Sequence, residues 1–195
     1  MAIRPRLIPA AAALLLAGCG MPWDRAPAPD AAPGPVAGGP ALLLSAPRQA
    51  VLRPLPGAGP RRIWRAEEGI AIETEGARVT ATAGLGPMLM STRFEGPDPL
   101  EDPAALLRAP AAARRLVDLS GADRDPAGMR FGLTLDCTLR AREEAEAILV
   151  EERCTGGGTG FTNRFWISPA GGAVLRSEQW VGDGLAPLAF RLIGP

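Results

Sequence analysis

The 195-residue chain contains no histidine, no tyrosine and no lysine. Without histidine it lacks the commonest general base at neutral pH and the commonest metal ligand. Ser45, Ser91, Ser120, Ser168 and Ser177 therefore have no partner for a Ser-His-Asp triad. Cysteine is scarce, with only Cys19, Cys137 and Cys154. That is too few for a structural zinc site when histidine is absent, and the expectation is no metal, no cofactor and no catalytic residue. With no lysine, arginine carries all the positive charge, and 21 basic residues face 21 acidic ones. No basic run stands out, which argues against a nucleic-acid partner. The glycines Gly156, Gly157, Gly158 and Gly160 lack the Lys-Ser/Thr that would complete a phosphate loop. Asp123, Asp125 and Gly128 form an incomplete set for a cation loop.

The stretch Leu16-Ala17-Gly18-Cys19 has the form of a lipobox. Arg4 and Arg6 precede an apolar run from Leu7 to Leu16, which is too short to span a bilayer as a helix. An ordinary secretory signal with a chance cysteine is the alternative. The expected division is residues 1–18 as signal peptide, 19–40 as lipidated Cys19 plus linker, and 41–195 as a single β-domain. Acyl chains on Cys19 would hold the protein on a membrane. Gly20 stands where lipoproteins kept at the inner membrane carry Asp, so the expected location is the outer membrane, facing the periplasm. Fifteen of the 21 residues from Gly20 to Pro40 are Gly, Ala or Pro, too little apolar surface to fold, and six prolines make the segment an extended spacer.

Past the linker the chain has the pattern of an antiparallel meander. Leu42 to Leu44, Ala50 to Leu55 and Arg61 to Arg65 form short apolar or mixed elements. Ile70 to Thr74 and Ala77 to Ala81 flank Glu75-Gly76, which predicts a hairpin with Ile72 opposite Val79. Leu100 to Leu107 has room for one or two helical turns between prolines. From Met129 to Arg140, apolar residues alternate strictly with polar or small ones, the pattern of a half-buried strand. Ala145 to Cys154, Phe161 to Ser168, Ala173 to Val181 and Leu188 to Ile193 complete eight to ten strands. The expected fold is mainly β, a sandwich or a partial, half-open barrel.

Cys137 and Cys154 lie on the apolar parity of neighbouring strands that turn near Glu144-Ala145-Glu146-Ala147. A disulfide is expected in an oxidising compartment, with two buried thiols as the alternative. Glu143, Glu144, Glu146, Glu151 and Glu152 cluster near this turn and are expected to form a solvated hairpin tip, although Glu152 falls on the apolar parity. Trp64 and Trp180 are expected in the core. Trp166 has the opposite parity to Phe165 and Ile167 and is expected outside.

Two blocks carry a family resemblance. The first is Trp64, Gly76-Ala77-Arg78-Val79-Thr80-Ala81-Thr82-Ala83-Gly84-Leu85 and Asp98-Pro99-Leu100. The second is Asn163-Arg164-Phe165-Trp166-Ile167, Gly172, Arg176-Ser177-Glu178-Gln179 and Pro187. Over roughly residues 50 to 195 the chain resembles the YjbF-type lipoproteins, which include the lipoprotein of group 4 capsule polysaccharide operons. The resemblance implies a lipid-anchored, mostly β domain that assists capsule or exopolysaccharide export without catalysis. It implies polysaccharide-export envelope proteins as partners, with Trp166, Arg164 and Asn163 as glycan or partner contacts. The rival readings are a periplasmic glycan-modifying enzyme and a scaffold for an outer-membrane β-barrel complex.

Overall fold

The computed structural model describes residues 39–57, 59–121, 125–170 and 172–194. The signal peptide, Cys19, the linker up to residue 38 and Asp123 lie outside the described residues. Twelve strands are present among them. They are β1 (Ala41–Ala46), β2 (Ala50–Pro54), β3 (Arg61–Arg65), β4 (Ala71–Glu75), β5 (Arg78–Ala83) and β6 (Met88–Phe94), followed by β7 (Ala111–Ser120), β8 (Arg130–Glu144), β9 (Ala147–Gly156), β10 (Thr159–Ile167), β11 (Val174–Gln179) and β12 (Leu188–Ile193). One helix, α1 (Pro103–Arg108), and two single 3-10 turns interrupt the strands.

The strands form one antiparallel sheet in the order β5-β4-β3-β2-β1-β12-β11-β10-β9-β8-β7-β6. Every neighbour is consecutive in the chain except one pair. Strand β1 lies against β12, with Ala41 opposite Ile193 and Leu44 opposite Phe190. The meander is thus closed where its ends meet, and a seam is left between β5 and β6. These two end strands are linked by a short turn and lie side by side. Near that turn the Leu89 amide donates to the Thr82 hydroxyl at 3.1 Å, a side-chain substitute for a ladder bond. The expected partial barrel is present, with more strands than the sequence pattern resolved.

Alternation explains the interior. Leu42, Leu44, Leu52, Trp64, Ile72, Leu135, Leu139, Val150, Phe165 and Leu188 are all buried and belong to one cluster. Each such side chain contributes about 1.5–3 kcal/mol on leaving water. Trp64 and Trp180 sit in this core as expected, Trp180 stacked on Phe161 with ring centroids 4.2 Å apart. Phe131, expected on the inward face, is 66% exposed because the β7–β8 register shifts between Val117 and Leu119, where Phe131 and Gly132 stand opposite Asp118 alone and the alternation is broken.

Two local features position the site described below. The β4–β5 hairpin turns through Gly76-Ala77, where Gly76 has a φ of 56° that favours glycine. Glu75 then faces Arg78, Thr74 faces Val79, and the register shifts between Thr74 and Glu73 so that Ile72 faces Thr82. The expected pairing of Ile72 with Val79 is therefore corrected. Thr80 is the extra residue of a bulge, and its hydroxyl donates to Glu73 at 2.7 Å. After β6, Asp98 caps a 3-10 turn (Pro99–Glu101), its carboxylate accepting from the Leu100 amide at 2.9 Å. Asp102 caps α1 by accepting from the Ala105 amide at 2.8 Å, and Pro103 opens the helix. Leu106 is buried as α1 packs onto β8 and β9.

Candidate functional site

At one place the interior of the barrel is charged. Glu152 on β9 is fully buried, and its Oε2 accepts from Arg78 Nη1 at 3.0 Å and from Asn163 Nδ2 at 2.5 Å. Arg115 Nη1 lies 3.4 Å from the same oxygen. Arg78 on β5 makes a two-point pair with Asp98, Nε to Oδ2 at 2.5 Å and Nη2 to Oδ1 at 3.0 Å. Arg115 on β7 donates through Nε to Thr92 Oγ1 at 2.6 Å. Two arginines and two carboxylates from β5, β7, β9 and the loop after β6 therefore balance each other in charge. Such a group is tolerated inside only because it is paired.

Polar side chains extend the network. Asn163 Oδ1 accepts from the Trp180 amide at 2.6 Å. Gln179 Oε1 accepts from the Val79 amide at 2.9 Å, and its Nε2 donates to the Ala77 carbonyl and to Ser177 Oγ. Gln179 thereby supplies a partner to a backbone amide on the end strand β5, across the barrel from β11. Glu152 Oε1 has no hydrogen-bond partner among the described residues.

Burial lowers the pKa of Arg78, but the charges of Glu152 and Asp98 outweigh it and hold the pKa above the usual arginine range. Burial pushes Arg115 down to about 10, and Glu152 offsets only part of that. Burial would raise Glu152, yet Arg78 and Arg115 outweigh it and keep the carboxyl below its usual range. A shielded carboxylate held ionised in this way is unsuited to the role of a glycosidase acid, which needs a raised pKa.

The position of Glu152 corrects the acidic hairpin tip. Glu143, Glu144, Glu146 and Glu151 stay around the β8–β9 turn, while Glu152 points inward with Val150 and Cys154. Arg115 and its link to Glu152 are not among the expectations from sequence. The available signal was a charge on the apolar parity of a strand, shared by Arg115 with Val117 and Leu119 and by Glu152 with Val150. Cys137 and Cys154 face each other across β8 and β9 and form a disulfide.

The three expected glycan or partner contacts separate. Asn163 has no exposed surface and belongs to the interior network, so only Trp166 and Arg164 remain on the outer face. Arg164 lies between Glu151 and Glu178, at 3.3 Å from each. Trp166 Nε1 donates to Glu144 at 2.9 Å, and this bond holds Glu144 below the usual carboxylate range. One face of the Trp166 ring is covered by the Arg176 guanidinium, 4.3 Å from its centroid, and Arg176 is bonded in turn to Glu178. Its cross-strand partner Leu149 is buried although it points outward.

A recess of about 470 Å³ opens beside Arg78, at the β4–β5 turn, the end of β6 and the loop into α1. Phe94, Pro97 and Leu100 wall it, and Arg61, Glu75, Arg93 and Glu101 surround its mouth.

Fold and interior together define a nearly closed antiparallel barrel domain with one disulfide and a charge-neutral buried network. The same architecture occurs in the hypothetical lipoprotein YmcC from Escherichia coli (K12), with a TM-score of 0.63 and 21% identity over 80% of this chain and 86% of that chain. The sequence model of the family described as group 4 capsule polysaccharide lipoprotein gfcB, YjbF, matches residues 41–193, and the chain belongs to that family. Comparison with curated proteins gave no match. Membership in a lipoprotein family implies association with the cell envelope. Arg78, Asp98, Asn163, Ser177 and Gln179, all within the two blocks that carry the resemblance, meet in the buried network.

Proposed function

We propose that this protein is a lipoprotein anchored by Cys19 in the outer membrane, facing the periplasm, and that it assists capsule or exopolysaccharide assembly or export without catalysing a reaction. The observation that carries this reading is the family match across the whole barrel, residues 41–193. The chemistry of the interior supports the non-catalytic part. Glu152 is enclosed and clamped by Arg78, Arg115 and Asn163, and Asp98 is taken up by Arg78. Both acids serve the fold. The partners under this reading are other envelope proteins of the export route.

The test is a clean deletion scored for surface polysaccharide, with the protein co-purified from the membrane fraction. Glu143→Gln, Glu146→Gln, Glu151→Gln and Asp183→Asn should each restore export to the deletion strain. A single conservative carboxylate change that abolishes export at normal protein abundance would establish the enzymatic rival instead.

A further inference from the structure

The recess beside Arg78 has a chemistry that names its ligand. We infer that it binds an uncharged segment of glycan, a few sugar units at most. This rests on the polysaccharide reading above and specifies the ligand class. At about 470 Å³ the recess falls within the roughly 300–1,000 Å³ of sites that take small organic ligands.

Charge decides against an anionic ligand. Three arginines (Arg61, Arg78, Arg93) and three carboxylates (Glu75, Asp98, Glu101) line the recess, so its lining is neutral. The deepest cation is already engaged. Arg78 holds Asp98 with two bonds and Glu152 with a third, and its guanidinium lies 4.5 Å from the centroid of the Phe94 ring. A phosphate or uronate would have to break a buried pair to reach it, which is costly.

What remains suits sugar. The mouth offers planar side chains of both signs, guanidinium donors beside carboxylate acceptors, and a hydroxyl both donates and accepts. The walls are apolar, with Pro97, Leu100 and the half-buried Phe94 ring, one face of which Arg78 takes, and can pack against the C–H groups of a pyranose. Position adds a consequence. Ala41 faces Ile193, Arg191 faces Arg176, and Trp166 faces Arg176, so β1 starts at the same end of the barrel as the β10–β11 turn. Ile167 and Gly172 of that turn region line the recess. The recess thus opens at the end where the chain enters the barrel.

The experiment uses the full-length lipidated protein in detergent. The probes are oligosaccharides of two to six units from partial acid hydrolysis of the host's own exopolysaccharide, separated by anion exchange into neutral and acidic pools. Saturation-transfer NMR reads binding. The neutral pool should bind and the acidic pool should not. Glu101→Trp places a bulky ring at the exposed rim without touching the buried network, and it should weaken binding at least tenfold with an unchanged melting curve. Phe131→Ala, at the opposite end of the barrel, should stay within twofold of wild type. Binding of the acidic pool alone, binding of neither pool, or loss in Trp166→Ala with retention in Glu101→Trp would each overturn the inference. The broader reading fails separately, if the deletion strain keeps normal surface polysaccharide. If that strain is defective and Glu101→Trp fully restores it, the recess assignment alone falls.

Discussion

Glu152 shows how one residue can be misplaced by its neighbours. In the sequence it follows Glu151 and lies near three other glutamates, which suggests solvent. In the barrel its strand parity prevails, and two arginines from other strands meet it there. Glu152→Gln would keep the shape and remove the charge, leaving Arg78 with Asp98 but Arg115 without a carboxylate. Breaking a buried pair in this way costs about 3–5 kcal/mol, measurable by urea unfolding at pH 7. The pH dependence follows from linkage. Glu152 titrates below its usual range when folded and near about 4.3 when unfolded. Over that interval the unfolded chain binds a proton that the folded chain does not. The contribution of Glu152 is complete above that unfolded value and is lost as pH falls through the folded one. Asp118, held down by Ser91 and the Gly132 amide, acts in the same direction, so wild-type stability should fall below about pH 5. In Glu152→Gln the acid slope should be shallower across a pH 7 to 3 series. Parallel slopes would mean that Glu152 is not ionised in the folded barrel.

At the scale of the element, the β8–β9 hairpin was the most legible part of the chain. The alternation fixes the inward face from Leu133 to Leu139, and the turn at Ala145-Glu146 falls where the two cysteines require it, placing Cys137 opposite Cys154. With the two cysteines 17 positions apart in sequence, the crosslink should contribute about 3 kcal/mol in the chain-entropy model. The Cys137→Ala, Cys154→Ala double variant should unfold at correspondingly lower urea, and intact mass of the unreduced wild type should show no free thiol at either position. Alkylation of both in unreduced, denatured protein would refute the bridge. Other elements were less legible for physical reasons. The β4–β5 pairing differs because Gly76 carries the turn and Thr80 bulges out to bond Glu73, a choice made by side chains and invisible to alternation. Strand β6 is hard to read because Gly86-Pro87 and Gly96-Pro97 flank the run from Met88 to Phe94. The pairing of β1 with β12 joins residues nearly the whole domain apart, and no local pattern encodes it. For the site, Arg78, Asp98, Asn163 and Gln179 lie within the blocks of the family resemblance, but the convergence of Arg78 and Asn163 on Glu152 depends on closure of the barrel.

For the whole molecule, the proposal assigns location to the anchor and stability to the barrel. The proposed anchor is Cys19, and the strands begin at Ala41. Cys19 precedes the first strand by more than twenty positions in sequence, so the anchor should govern location and leave stability alone. Cys19→Ala separates the two. It should incorporate no palmitate analogue and should leave the outer-membrane fraction as an uncleaved or soluble form. The matched region, residues 41–193, excludes Cys19, so the urea midpoint of the variant should equal that of the wild type. If tethering serves export by holding the barrel beside the route, this stable but displaced protein should fail to restore surface polysaccharide at normal abundance. Retention of label and of outer-membrane location in Cys19→Ala would refute the anchor. Full restoration of export by a soluble, unlabelled form would confine the anchor to location and place the working part entirely in the barrel.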